Sequence, residues 1–230
     1  MNKKIAVITG AGSGLGTSLA IKFNKLNYHV CLIGRNKNKL IQTSELLNQD
    51  FSIHTLDISD EQNVKSTFDY ISNEFGPIDT LINNAGIGFF DTLEQLPSHG
   101  IEQMLDVNLK GSIYCTQSVL KNMKNRDSGT IINIISTAGL EGKVNETVYC
   151  ASKFGLRGFT EALEVELKET NIRIYAAYMG GMKTNFWDKY YRSDEINHMM
   201  NPDDVADIII NDYQLRDNLK VTQTVIKNSK

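Results

Sequence analysis

Proline and cysteine are scarce in this chain of 230 residues, with three of each. The prolines, Pro77, Pro97 and Pro202, are too few and too dispersed for a linker, and no low-complexity segment or internal repeat accompanies them. Cys31, Cys115 and Cys150 form no C-x-x-C pair, which argues against a disulfide framework and reads as buried thiols in a reducing compartment. The four histidines stand apart, without metal-ligand spacing, so no metal is expected. Charge of either sign is nearly balanced, at −3, which gives no reason to expect nucleic acid or an anionic membrane as a partner. No apolar run approaches the roughly 18 residues of a membrane span. The opening MNKKIAVITG reads as a first strand, not a signal peptide. A soluble, cytoplasmic protein is expected. A hydrophobic content of 41% suffices for one core, so residues 1–230 are expected to form one domain.

What the chain does contain is alternation. Short β-branched runs at 5–9, 28–33, 51–56, 79–83, 130–135, 172–178 and 220–226 predict seven strands, several of them apolar without alternation, as for strands buried on both faces. Helical patterns lie between them. Leu15, Leu19, Phe23 and Leu26 form one stripe. An acidic cap, SDEQ, opens residues 60–75 ahead of Val64, Phe68 and Ile71. Long helices are predicted over 98–125 and 148–169, and Asn201-Pro202 reads as an N-cap with proline at the first helical position. Such alternation predicts an α/β fold, a Rossmann-type doubly wound parallel sheet with helices on both faces. Sheets of that kind bind ligands at the carboxyl ends of their strands.

The first of those ends carries TGAGSGLG, residues 9–16. Glycines at 10, 14 and 16 let the backbone turn sharply and approach a pyrophosphate, which the amides of the following helix can then receive. The spacing Gly-x-x-x-Gly-x-Gly resembles that of the short-chain dehydrogenase/reductase family, in its compact single-domain branch. NNAG at 83–86, Asn108 in LDVNLKG, Ser136 in IINIISTAG, Tyr149 and Lys153 in VYCASKFG, and GGMKT at 180–184 extend the resemblance over nearly the whole chain. Tyr149 and Lys153 alone say little: with nine tyrosines, and lysine at roughly one residue in thirteen, about one Tyr-x-x-x-Lys pair is expected by chance. Their place after the fifth strand of a dinucleotide fold gives the pair its meaning.

The resemblance implies an NAD(P)-dependent oxidoreductase acting on CH–OH and C=O groups, with Asn108, Ser136, Tyr149 and Lys153 catalytic. Tyr149 would be the acid/base. A nearby ammonium favours the phenolate, although lowering a phenol pKa from near 10 to neutrality takes roughly 4 kcal/mol. Ser136 would polarise the substrate oxygen, so Ser136 and Tyr149 are the expected substrate contacts. By resemblance, Lys153 also holds the nicotinamide ribose, and Asn108 holds a water that relays protons. The cofactor itself would meet Gly10, Ser13, Gly14, Leu15, Gly16, Asp57, Asn84, Gly86, Gly180, Met182 and Thr184.

At the end of the second strand an NAD-selective site carries a carboxylate. Here the residues are Gly34 and Arg35, and a guanidinium can hold a 2′-phosphate. NADP(H) is therefore expected in preference to NAD(H), which remains possible. Met179 stands where relatives have proline before that last loop. A substrate lid is expected at about 184–201, with Phe186, Trp187, Tyr190, Tyr191, Met199 and Met200 joining Phe89, Phe90 and Leu140 around an apolar pocket. The alternatives are an NAD-linked alcohol or hydroxysteroid-type dehydrogenase, or a nucleotide-sensing protein without catalysis. Relatives form homodimers or homotetramers through the two long helices.

Overall fold

The computed structural model describes residues 3–48, 50–214, 216 and 218–229. In chain order the elements are β1 (Ile5–Thr9), α1 (Gly14–Lys25), β2 (His29–Gly34), α2 (Lys37–Ser44), β3 (Phe51–Thr55), α3 (Glu61–Glu74), β4 (Ile78–Asn83), α4 (Ser98–Leu105), α5 (Ser112–Arg126), β5 (Gly129–Ile134), α6 (Thr147–Glu166), β6 (Ile172–Met179), α7 (Pro202–Tyr213) and β7 (Gln223–Ile226). The strands form one sheet in the order β3-β2-β1-β4-β5-β6-β7, every neighbouring pair parallel.

The period of two explains why β1 reads as a continuous apolar run. All five of its residues are buried. Ala6 and Ile8 face a core shared with Leu15, Leu19 and Phe23 of α1, Leu40 of α2 and Val205 and Ile209 of α7. Ile5 and Val7 face the opposite core, with Val64, Phe68 and Ile71 of α3, Val119 and Met123 of α5 and Leu163 of α6. Each such side chain contributes about 1.5–3 kcal/mol by leaving water. Because sequence order reverses on either side of β1, the loops after β1 and β4 diverge and leave a crevice at the carboxyl edge.

Caps set the helix starts. Asp60 accepts from the Asn63 amide at 3.0 Å, and Asn201 accepts from Asp203 at 2.9 Å ahead of Pro202. Asn36 does the same for Lys39 at 3.1 Å and starts α2, a helix that the polar run after Arg35 does not announce.

Three expectations change. Leu26 is not in the buried stripe: α1 ends at Lys25, the chain turns through Asn27 at φ 65°, and Leu26 is 41% exposed. The strand expected at 220–226 is only β7, Gln223–Ile226. Asp60 opens α3, and Asp57 ahead of it accepts from the amide and hydroxyl of Ser59. The helix expected over 98–125 is interrupted by a six-residue π-helical turn, Asp106–Gly111, between α4 and α5.

Among the described residues no helix is long and apolar enough to cross a membrane, and no cluster could hold a metal ion. All three cysteines are free and buried, and burial pushes the Cys31 thiol up to about 12.

Candidate functional site

The crevice is a cleft of about 710 Å³ bordered by the loops after β1, β2, β3, β4, β5 and β6. The glycine loop forms one wall. Gly10 and Gly14 adopt φ of 66° and 54°, a left-handed conformation that glycine holds at no steric cost. A side chain on Gly14 would begin 2.8 Å from Thr184 Cγ2, and one on Gly16 would fall on the Gly10 carbonyl. Ser13 precedes α1 without a side-chain cap, and the first turn has no acidic residue, so the amides there are available to an anion. Leu15 borders the cleft, but its side chain lies in the core, so only its backbone can meet a ligand. These glycines leave a hollow lined by helix amides, which fits a pyrophosphate.

The loop after β4 is tied down along its length. Asn84 donates through Nδ2 to the Thr9 and Gly10 carbonyls at 2.9 and 3.3 Å, and Thr9 Oγ1 accepts from the Asn84 and Ala85 amides at 3.0 Å. Asn108, fully buried in the π-helical turn, grips the next residues: Oδ1 accepts from the Ile87 amide at 2.8 Å, and Nδ2 donates to the Ile87 carbonyl at 2.9 Å and to Ser152 Oγ at 3.0 Å. A side chain on Gly86 would begin 3.4 Å from Asn108 Oδ1 and 3.5 Å from Lys153 Nζ. The Asn108 amide thus holds this loop.

Tyr149 and Lys153 share one face of α6, four residues apart, with Nζ 5.8 Å from the phenol ring centre. Both are buried, where sequence alone implies an exposed face. Lys153 Nζ donates to the Ile134 carbonyl at 3.2 Å, and burial lowers its pKa to about 8. Tyr149 departs from expectation. Burial pushes its pKa well above that of a free phenol; a hydrogen bond from the Ser136 side chain pulls it back, and the Glu146 charge pushes it up again. Desolvation of the phenolate therefore outweighs the attraction expected from Lys153. Ser136 also accepts from the Ala138 amide at 3.1 Å.

The lid folds onto the loop after β4. Trp187 stacks on Phe90 at 5.3 Å, and Phe90 meets the Tyr149 ring edge-on at 5.4 Å. Tyr190 accepts from the Phe90 amide at 3.1 Å and donates to the Gly88 carbonyl at 3.3 Å. Its two ends are joined where Lys183 donates to the Met200 carbonyl and Met200 to Gly181. Phe89, Phe186, Trp187 and Met199 border the cleft, as do Gly180, Met182 and Thr184. Leu140 does not join them; it packs with Ile135, Leu156 and Tyr178. Met200 lies against the core beside α7. Met179 borders the cleft from a buried position. At the far end Arg35 Nη1 stands 3.8 Å from Asp57 Oδ2, with Lys39 nearby on the same wall.

The family model for short chain dehydrogenases matches residues 4–195. This chain is a short-chain dehydrogenase. It is 32% identical over 211 residues to an uncharacterised oxidoreductase of Staphylococcus aureus, covering 91% of this chain and 90% of that one. A sepiapterin reductase of Chlorobaculum tepidum is 32% identical over 236 residues, covering 98% and 94%. Among solved structures, a variant of actinorhodin polyketide ketoreductase with NADPH superposes with a TM-score of 0.89 at 27% identity, covering 99% and 97%. The dehydrogenase is accordingly an NAD(P)-dependent oxidoreductase.

Six polar residues border this dehydrogenase's cleft beyond those the sequence singles out: Gln103, Lys143, Glu146, Asn185, Lys189 and Asn228. Lys143 and Glu146 lie six and three residues before Tyr149, in the stretch that must cross the carboxyl edge between β5 and α6; that spacing was the available signal. Asn228 follows β7, and its buried Oδ1 has no hydrogen-bond partner among the described residues. Nothing in the terminal sequence marks it.

Proposed function

We propose that this short-chain dehydrogenase interconverts the carbonyl of a ketone or aldehyde and an alcohol, with NADP(H) and with Tyr149 as the acid/base. One observation carries the proposal: Ser136, Tyr149 and Lys153 border the same cleft as the glycine loop. A bound nicotinamide would supply or accept the hydride. The chain's own part is position and proton. A carbonyl oxygen set between the Ser136 hydroxyl and the Tyr149 phenol is polarised by the first and receives the proton of the second as negative charge develops on it. The high pKa of the buried phenol keeps that proton in place at neutral pH and suits the direction of reduction. Lys153, still mostly an ammonium at pH 7, stabilises the phenolate left behind. Asn108 serves by fixing the loop of Gly86 beside Lys153. The 230-residue chain acts as one catalytic unit, assembled into homodimers or homotetramers through α5 and α6.

Arg35 supports the NADP(H) preference. Its ion pair with Asp57 is solvent-exposed, worth about 0–1 kcal/mol, and gives way readily to a phosphate dianion. The same pair carries the second reading: Asp57 would repel a 2′-phosphate and favour an NAD-linked dehydrogenase. Consumption of NADPH and of NADH by the purified protein, over ketones, aldehydes, quinones and ketoacyl thioesters, tests both. NADPH should be preferred, and Arg35→Ala should weaken NADPH binding by about tenfold or more while changing NADH little. An equal effect on both would make Arg35 a solvated turn residue. Absence of turnover with every carbonyl would favour nucleotide sensing.

A further inference from the structure

Glu146 occupies the residue before the first turn of α6, three before Tyr149. Its carboxylate accepts no hydrogen bond from the amides of the first turn. Its backbone is fixed, with its amide donating to the Lys143 carbonyl and its carbonyl accepting from Cys150 at 2.7 Å. The side chain borders the cleft, half-buried, and among the described residues it has neither a hydrogen bond nor a close ion pair. Lys143, the cation whose charge reaches it, donates instead to Thr137 Oγ1 at 2.8 Å. Burial pushes the Glu146 carboxyl above its usual range, and its charge is felt at Tyr149.

Its oxygens reach the open cleft and accept no hydrogen bond from the described residues, so a donor on a bound ligand can meet them there. Phe89, Phe186 and Trp187 border the same cleft, flat apolar surfaces suited to a planar body. An anionic group set against Glu146 would meet its charge; Lys143 and Lys189, the latter 5.2 Å above the Phe89 ring, are cations bordering the cleft that would draw an anion instead.

We infer that Glu146 is a specificity-determining residue that accepts a hydrogen bond from an N–H group of the substrate, so that the substrate class is planar ketones or aldehydes bearing a nitrogen donor. The inference rests on the carbonyl reduction proposed above. A charge-assisted N–H to carboxylate bond suits a site where the acceptor is partly desolvated. It also fixes which face of the carbonyl is turned toward Ser136 and Tyr149.

The test is a set of aryl ketones identical but for one ring substituent: aminomethyl, hydroxymethyl, methyl or carboxylate. Rates are measured with NADPH for the wild type and for Glu146→Gln, whose fold is checked by thermal melting. The wild type should favour the aminomethyl over the methyl ketone in kcat/KM by about tenfold or more. In Glu146→Gln that ratio should collapse, mainly through KM, and the carboxylate ketone should gain. Turnover of all four by the wild type without preference overturns the role of Glu146 alone. A preference for the carboxylate ketone that Lys143→Gln abolishes also overturns it, assigning selectivity to Lys143. Turnover of none, in a protein that binds NADPH, overturns the carbonyl reduction itself.

Discussion

Tyr149→Phe is expected to bind NADPH with nearly unchanged affinity and to lose about 10²–10⁴-fold in kcat. The substitution removes one oxygen from a ring held edge-on by Phe90, so the packing around it survives. What disappears is the O–H beside Ser136, the group placed to protonate the substrate oxygen. The loss should fall on kcat, because the phenol's proton matters most as charge develops on that oxygen. The pH dependence follows from Lys153, whose pKa burial lowers to about 8. Its ammonium is present below that pH and lost above it, so reduction by the wild type should decline as pH rises through about 8. Single-turnover reduction and fluorescence titration of NADPH, each across pH, measure both effects. Retained turnover in the variant would mean that the proton comes from elsewhere in the cleft.

Gly16→Ala is the second large effect, and its sign runs against intrinsic helix preference. Gly16 lies in α1, where alanine is ordinarily favoured by about 1 kcal/mol. Here the new methyl would fall on the Gly10 carbonyl and 2.7 Å from Asn84 Nδ2. Either the glycine loop or the Asn84 loop must move, at a cost of about 1–3 kcal/mol. Since both loops wall the cofactor end of the cleft, NADPH affinity should fall by about a hundredfold or more. Gly158→Ala is the control. A side chain there meets nothing within 4 Å, so that variant should be stabilised by about 0.4–1 kcal/mol. Thermal melting with and without NADPH separates the two variants. Stabilisation of Gly16→Ala would show that the loops accommodate the methyl.

The number of strands was legible because each is a short run of apolar, β-branched residues set between helical patterns. The glycine loop was legible because its spacing is strict. What escaped did so for physical reasons. Asn36, Lys37 and Lys39 have no apolar stripe, and α2 is held by its cap, by buried Leu40 and by Thr43, whose hydroxyl donates to the Ala11 carbonyl. Leu140 looked like pocket lining because it follows Ser136 closely, yet the short 3₁₀ turn at Thr137–Gly139 carries it to the far side of β6 contacts. The pKa of Tyr149 could not be judged from its neighbours in sequence, because burial is a property of the assembled fold. Glu146 had no pattern to mark it, only proximity.

The interruption at Asp106–Gly111 was hidden for another reason. Met104, Asn108, Ser112 and Thr116 are buried at intervals of four throughout. In an α-helix of 3.6 residues per turn that row would drift around the axis by about 40° at each step. The wider π-helical turn winds each residue through a smaller angle and brings the row back toward the sheet. The segment thus holds one residue more than an uninterrupted α-helix would need. Arithmetic of chain length, as well as chemistry, places Asn108 against Ile87. Deleting any one residue between 106 and 111 other than Asn108 would leave every group of the site in the gene and rotate one of them out of register.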